Sequence, residues 1–210
     1  MTSLFACTAC HARLPATGPW ECGSCGARYV GESGLLSYLP PGVGTKLDEL
    51  DYDAVYRVSD EAGERLFTQC RKFLGSRMPA SVDHYLEIGA GTGLFTSGLF
   101  AKVAVRRAVI TDVSASMLGV CRSRLERVAR GTDAQFVLWD GRPGCFAGGQ
   151  FDFVAGFSVM HHVLDYPALL RELGRLLRPG GTALFLEPNY AFHVALNELI
   201  AQMLAGLPAD

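Results

Sequence analysis

A doubly wound, Rossmann-like α/β fold preceded by a small metal-binding module is what this sequence predicts. Three observations carry the expectation. From residue 84 onward, strand-like apolar runs alternate with segments of helical period. A glycine-rich turn joins the first of those strands to the first of those helices. Four cysteines in two C-x-x-C pairs stand ahead of all of it. The 210 residues, 49% of them hydrophobic and 19% charged, are enough for one α/β domain with an appendage, and too apolar for a disordered chain.

The first forty residues form the module. Cys7-x-x-Cys10 and Cys22-x-x-Cys25 each make a knuckle, and two knuckles complete a tetrahedral thiolate set suited to Zn²⁺, with iron as the alternative. Four thiolates leave no open position, so the metal is expected to be structural. Gly23 and Gly26 suit the tight turns of the second knuckle. Pro40–Gly44 (PPGVG) reads as a linker, and residues 41–80 as a connecting segment with N-terminal helices. In the last of these, Ala62, Leu66, Phe67, Cys70, Phe73 and Leu74 recur at helical spacing up to Gly75.

Residues 81–210 then read as the sheet domain. HYLEI (84–88), AVIT (108–111), QFVLW (135–139), FDFVAGFS (151–158) and TALFLE (182–187) are five strands. Ser114 caps a helix with Met117, Leu118, Cys121, Leu125 and Val128 inward. Pro167 opens another carrying Leu169, Leu170, Leu173, Leu176 and Leu177. Phe192, Leu196, Leu199, Ile200, Met203 and Leu204 mark a last helix.

Composition excludes several function classes. A net charge of −2 argues against a whole-surface attraction to nucleic acid or anionic lipid. No apolar run approaches the roughly 20 residues of a membrane span, and no basic start is followed by an apolar stretch. With paired C-x-x-C units in place of a disulfide framework, the chain is expected in the cytoplasm.

The glycine turn carries the chemistry. Glu87-Ile-Gly89-Ala90-Gly91-Thr-Gly93 sets three glycines at a spacing of two, with Leu94 where a dinucleotide fingerprint wants glycine. Asp112 ends the second strand, where a carboxylate accepts ribose hydroxyls. This set resembles motif I and its sequel in class I S-adenosylmethionine-dependent methyltransferases. Asp112-Val113-Ser-Ala-Ser-Met-Leu, Trp139-Asp140-Gly141, Phe151–Ser158 with Met160-His161-His162-Val163, and Leu176-Leu-Arg-Pro-Gly-Gly follow in the family's order over roughly residues 50–190. The resemblance implies S-adenosylmethionine as cofactor, held by Glu87, Gly89, Ala90, Gly91, Gly93, Asp112, Val113, Asp140, Gly141 and Phe157. It implies Asp112 on the ribose and Asp140 on the adenine amino group. Tyr52 and Tyr56 fit two readings, a segment closing over the cofactor or an ordinary amphipathic helix. Cys25-Gly-x-x-Tyr29 and Leu35-Leu-x-Tyr-Leu-Pro40 resemble the zinc-ribbon (Trm112-like) modules found beside some methyltransferases.

Methyl transfer from a sulfonium needs alignment and exclusion of water, and a base only where the acceptor must lose a proton. His161 and His162, just past the fourth strand, are the catalytic candidates; His162 equally fits a loop-holding role. The acceptor expected is a small molecule with an O, N or C nucleophile. A ribosomal RNA guanine methyltransferase and a non-catalytic cofactor-binding or partner-docking protein are the alternatives. The RNA reading would need Arg122, Arg124, Arg127 and Arg130 as a basic face. The family's sheet ends in an antiparallel hairpin that the five strands here do not include. The open edge is expected to be covered by a second copy or a protein partner.

Overall fold

The computed structural model describes residues 3–31, 34–40, 59–129 and 131–189. Tyr52, Tyr56, Arg130 and the last helix expected over 192–204 lie outside the described residues. In chain order the elements are β1 (Leu36–Ser37), α1 (Asp60–Leu74), β2 (Ser81–Ile88), α2 (Leu94–Lys102), β3 (Ala104–Asp112), α3 (Ala115–Val128), β4 (Asp133–Leu138), β5 (Phe151–Phe157), α4 (Tyr166–Leu176) and β6 (Leu177–Leu186). The strands form one sheet in the order β1-β4-β3-β2-β5-β6, every pair parallel. The chain runs outward from β2 on one side through β3 and β4, then returns to β5 on the other. The crevice of such a sheet opens at the carboxyl ends of β2 and β5, where this reversal occurs.

Five of the strands are those read from the sequence. The sixth, β1, comes from the cysteine module: Leu36 pairs with Val137 and Ser37 with Leu138. Two residues are too few to leave a periodic signal, so this strand was not legible. Strand β6 begins earlier than expected. Leu177 pairs with Phe151, and the register then jumps to Phe153–Thr182, so Arg178–Gly181 bulge out of the ladder. Among the described residues β6 has one neighbour, β5, and no antiparallel strand follows it.

Both faces of the sheet are covered. On one, Phe67 of α1, Phe95 and Leu99 of α2 and Leu118 and Leu125 of α3 bury Tyr85, Ala108 and Phe153. On the other, α4 shares the cover with the cysteine module: Leu4, Phe5, Cys7 and Leu14 join Leu86, Val109, Val137, Leu169 and Leu173 in one continuous core. The module is thus packed as a layer of the domain.

Helix ends follow side-chain chemistry. Ser114 Oγ accepts from the Met117 amide at 3.1 Å, and Asp165 Oδ1 from Ala168 at 3.0 Å. Gly75, at φ 54°, closes α1. Two expected inward residues face out: Phe73 is 90% exposed and Leu170 is 48% exposed. In α4 the inner stripe is 169, 172, 173 and 176, which gives an inner place to Glu172 and leaves Leu170 on the flank. Glu172 is accommodated there by Arg175 at 2.6 Å and the Gly144 amide at 3.0 Å.

Helices α1 and α2 cross at a glycine pair. A Cβ on Gly98 would lie 2.1 Å from the Gly63 carbonyl oxygen, and one on Gly63 would lie 2.5 Å from that of Leu94. Backbone meets backbone, so nothing flexible can give way. Gly98→Ala is expected to destabilise the fold by at least the ~1–3 kcal/mol typical of overpacking, read as a lower urea midpoint at unchanged slope.

Candidate active site

The crevice is built on the turn after β2. Gly89, Gly91 and Gly93 all have positive φ, at 61°, 54° and 87°. Two of them do different work. A Cβ on Gly89 would sit 2.3 Å from Val159 Cγ2, so glycine lets the loop leaving β5 close onto the turn. A Cβ on Gly91 would meet nothing within 4 Å: space opens above this backbone, as a ligand approaching it requires.

Asp112 locks the turn to the end of β3. Its Oδ2 accepts from the Gly91 amide at 2.8 Å and its Oδ1 from the Ser114 amide at 3.0 Å. The Ala90 amide reaches Thr111 O at 2.9 Å, and the Trp139 amide reaches Asp112 O at 3.0 Å. Ala90, Gly91, Gly93 and Asp112 are thereby one hydrogen-bonded constellation, with Gly89 and Val113 adjacent in the chain and Asp140 and Gly141 following just past β4. Phe157 ends β5, half-buried.

Asp140 is gripped by Arg142 through Nη2–Oδ2 at 2.6 Å and Nε–Oδ1 at 2.8 Å. Burial works against its charge, but these bonds prevail and hold its carboxyl below the ordinary range. The Arg142 backbone amide adds a third bond to Oδ1 at 3.2 Å; a carboxylate has about four lone-pair sites, so one remains for an exocyclic amine. Arg142 was not singled out by the sequence. Glu87 is set apart from the crevice lining: it is 1% exposed and takes the Tyr85 hydroxyl at 2.7 Å. Burial raises its pKa to about 7, the Tyr85 bond acting the other way.

His161 and His162 lie on a single 3₁₀ turn, Met160–His162, with ring centroids 3.9 Å apart. His161 Nδ1 is 2.7 Å from Glu187 Oε2, just past β6. Glu187 Oε1 also accepts from the Val159 and Met160 amides at 3.0 and 2.9 Å. Burial opposes its charge; the His161 bond and the two amides outweigh it, so its pKa is lowered. An ionised carboxylate only accepts, so Nδ1 is the donor in this contact, and in the neutral imidazole the lone pair belongs to Nε2. The turn is preceded by Ser158 at φ 55°, a conformation L side chains rarely adopt. Glu187 is a candidate site residue that the sequence did not single out. Its signal was a carboxylate at the carboxyl end of a parallel strand, which TALFLE contains.

The cysteine cluster forms a second site. Sγ atoms of Cys7, Cys10, Cys22 and Cys25 all lie within 4.8 Å of one another, with Cys7–Cys25 at 3.5 Å and Cys10–Cys22 at 3.6 Å. A tetrahedron of about 2.3 Å metal–sulfur bonds has edges of about 3.8 Å, and a disulfide needs about 2.05 Å, so the spacing fits a metal and not two bridges. The knuckles are alike: the His11 amide bonds Cys7 O and that of Gly26 bonds Cys22 O, each at 2.8 Å. His11 has φ 61° where Gly26 has 73°. Tyr29 OH takes the Thr8 amide at 2.9 Å and lies 3.1 Å from Cys7 Sγ. A separate groove of about 610 Å³, between Trp20, Arg122 and Phe136, lies by the amino end of β4 and includes none of the crevice residues.

A family profile described as a methyltransferase domain matches residues 86–185, the span from the end of β2 to the end of β6. The chain carries a class I S-adenosylmethionine-dependent methyltransferase domain. Among curated proteins, the methyltransferase domain is similar to the ubiquinone/menaquinone biosynthesis C-methyltransferase UbiE of Hahella chejuensis (strain KCTC 2396), 37% identical over 114 residues, covering 54% of this chain and 45% of that one. It is also similar to the malonyl-[acyl-carrier protein] O-methyltransferase of Magnetococcus marinus (strain ATCC BAA-1437 / JCM 17883 / MC-1), 35% identical over 100 residues, covering 48% and 36%. The chain thus spans less than half the length of these two relatives. Among solved structures, the complex of the Haloferax volcanii Trm112 methyltransferase activator with a methyltransferase matches at a TM-score of 0.52 and 24% identity, covering 67% of this chain and 59% of that one. That likeness is one of fold. The cofactor the methyltransferase domain uses is S-adenosylmethionine, and the open space over Gly91 beside the Asp112 carboxylate fits it. No helix among the described residues is long and apolar enough to cross a membrane.

Proposed function

We propose that this chain transfers a methyl group from S-adenosylmethionine to a small-molecule acceptor that must lose a proton, a carbon acid or a hydroxyl. In this reading His161 is the general base and Glu187 its positioning residue. The observation that carries it is the 2.7 Å bond between His161 Nδ1 and Glu187, which makes Nδ1 the donor and so makes Nε2 the nitrogen that would take a proton, on a turn packed against the glycine loop.

The bound donor supplies a methyl group on a sulfonium, already activated. Asp112 holds the ribose, Asp140 the adenine amino group, and Gly89, Ala90, Gly91, Gly93, Val113, Gly141 and Phe157 shape the crevice. Glu87 supports the turn from below. The acceptor proton would pass to His161 Nε2 as the acceptor carbon or oxygen takes the methyl group; the methyl–sulfur bond breaks with its electron pair left on sulfur, S-adenosylhomocysteine leaves, and His161 returns the proton to water. His162 braces the turn against His161 or orients the acceptor. The four cysteines hold one structural Zn²⁺, which keeps residues 1–40 folded ahead of a connecting segment, 41–80, and a catalytic domain, 81–210. Cysteines kept as metal ligands instead of disulfides suit the cytoplasm. A second copy or another protein would add at the outer edge of β6.

A small acceptor is favoured over RNA because the arginines of α3 are engaged. Arg122 lies 4.9 Å over the Phe136 ring, Arg124 is 5% exposed, and Arg127 bonds the Ser123 carbonyl.

The test is calorimetric titration with S-adenosylmethionine of the wild type and Asp112→Ala. Each charge-assisted bond lost is worth about 1.5–3 kcal/mol, so affinity should fall by at least about tenfold. Equal affinities would remove the ribose assignment and the reading built on it.

A further inference from the structure

The metal knot and the adenine-side turn are joined by an unbroken run of aromatic rings. Tyr29, whose hydroxyl touches Cys7 Sγ, lies 5.3 Å from the Tyr38 ring. Tyr38 lies 5.8 Å from Phe146, and Phe146 stands edge-on to Trp139 at 4.9 Å. Trp139 Nε1 then donates to the Arg142 carbonyl at 2.8 Å, and Arg142 grips Asp140. A parallel connection runs through the backbone. The Ala6 amide reaches Cys145 O at 2.9 Å, the Ala147 amide reaches Leu4 O at 2.8 Å, and the Tyr38 hydroxyl reaches Ala6 O at 3.0 Å. Phe146 and Trp139 are each almost fully buried. In a core packed to crystal density, a ring whose neighbours move must move as well. Residues 139–150, between β4 and β5, hold no helix or strand of their own. The Asp140–Arg142 turn therefore takes its support from what packs behind it: α4 on one side, where Glu172 holds the Gly144 amide at 3.0 Å and Arg175 the Phe146 carbonyl at 2.8 Å, and the module on the other.

We propose that the cysteine module positions the adenine side of the donor site, so that metal binding at the four cysteines and donor binding at Asp140 are thermodynamically coupled. The coupling passes through Phe146 and Trp139, which touch neither ligand and are positioning residues. This rests on the donor-binding reading above. Coupling is reciprocal: if zinc tightens the donor site, the donor tightens the zinc site by the same factor.

The experiment uses the full chain loaded with zinc. Competition with a chromogenic chelator gives the zinc dissociation constant with and without saturating S-adenosylhomocysteine. We expect S-adenosylhomocysteine to tighten zinc about 5-fold or more, the lower end of typical coupling. The same measurement follows on Trp139→Phe, which keeps a ring and loses the bond to Arg142 O, and on Phe146→Leu, which keeps an apolar filler and loses the stack. Both should retain one zinc per chain and a cooperative melt, with coupling below about 2-fold and weaker S-adenosylhomocysteine binding. Coupling that arose only because both ligands favour the folded chain would persist in both variants. Wild-type zinc affinity indifferent to bound S-adenosylhomocysteine would overturn the proposal, as would undiminished coupling in the two variants. A failure of the donor site is distinguishable, because S-adenosylhomocysteine would then not bind the wild type at all.

Discussion

Replacing His161 with glutamine should lower turnover about 10²–10⁴-fold while leaving the affinity for S-adenosylmethionine unchanged, because the substitution removes the basic nitrogen and nothing that lines the donor crevice. Turnover is read as S-adenosylhomocysteine released with whichever phenol or β-dicarbonyl probe the wild type methylates. A loss confined to KM, or none, would mean that His161 only shapes the pocket. Glu187→Gln separates the positioning role. The amide can still accept one bond through its oxygen, but its NH₂ group faces either the backbone amides or Nδ1, so the imidazole loses its fixed orientation. The expected result is a smaller loss in kcat than for His161→Gln, and a new pH dependence of kcat. The acid limit of the wild-type clamp follows from the lowered pKa of Glu187. A carboxyl held below its unfolded value contributes stability above that value, about 4.3, and loses it only as pH falls toward the lower folded one. The His161 turn should therefore stay anchored at neutral pH and come loose below about pH 4.

Breaking the second knuckle, with Cys22→Ser and Cys25→Ser together, should unfold more than the module. Structural zinc contributes about 10–16 kcal/mol in small peptides, as much as the whole ~5–15 kcal/mol stability of an ordinary domain. Here the loss would not stay local. Cys7 and Cys22 are buried in the same core as Leu86, Val109 and Val137, three strands of the sheet. Elemental analysis should find no zinc in the double variant. Its circular-dichroism melt should lose cooperativity or shift down by more than about 15 °C, since roughly 3 °C accompanies each kcal/mol at this size. A variant that melts within a few degrees of the wild type would show that the sheet stands without the metal.

Much of this was legible in the sequence, and the boundary has a physical cause. Local signals came through: the glycine turn, the Ser114 cap, the Gly75 stop and the four cysteines each declare themselves within a few residues. The doubly wound, parallel class followed from the alternation of strands and helices, although the order of the strands was not read. Contacts between distant residues did not come through. Glu187 acquires its role only by meeting His161 across β5 and β6, and Arg142 only by folding back on Asp140. Strand β1 exists because Leu36 finds Val137, a pairing no local period could announce. Burial on a helix was legible to within one stripe: Glu172, a charged residue, took an inner place because Arg175 and Gly144 satisfied it, and Leu170 was displaced to the flank.

The pairing of β1 with β4 also fixes an order of events during synthesis. Leu36 and Phe5 emerge from the ribosome long before Val137 and Phe146, the residues that cover them. Through that interval the emerging module can knot its cysteines around a metal but must carry a bare strand edge and a Phe5 covered only on the side of Trp20. Pulse-labelled chains stalled before Val137 should bind a chaperone that chains stalled beyond Phe151 release.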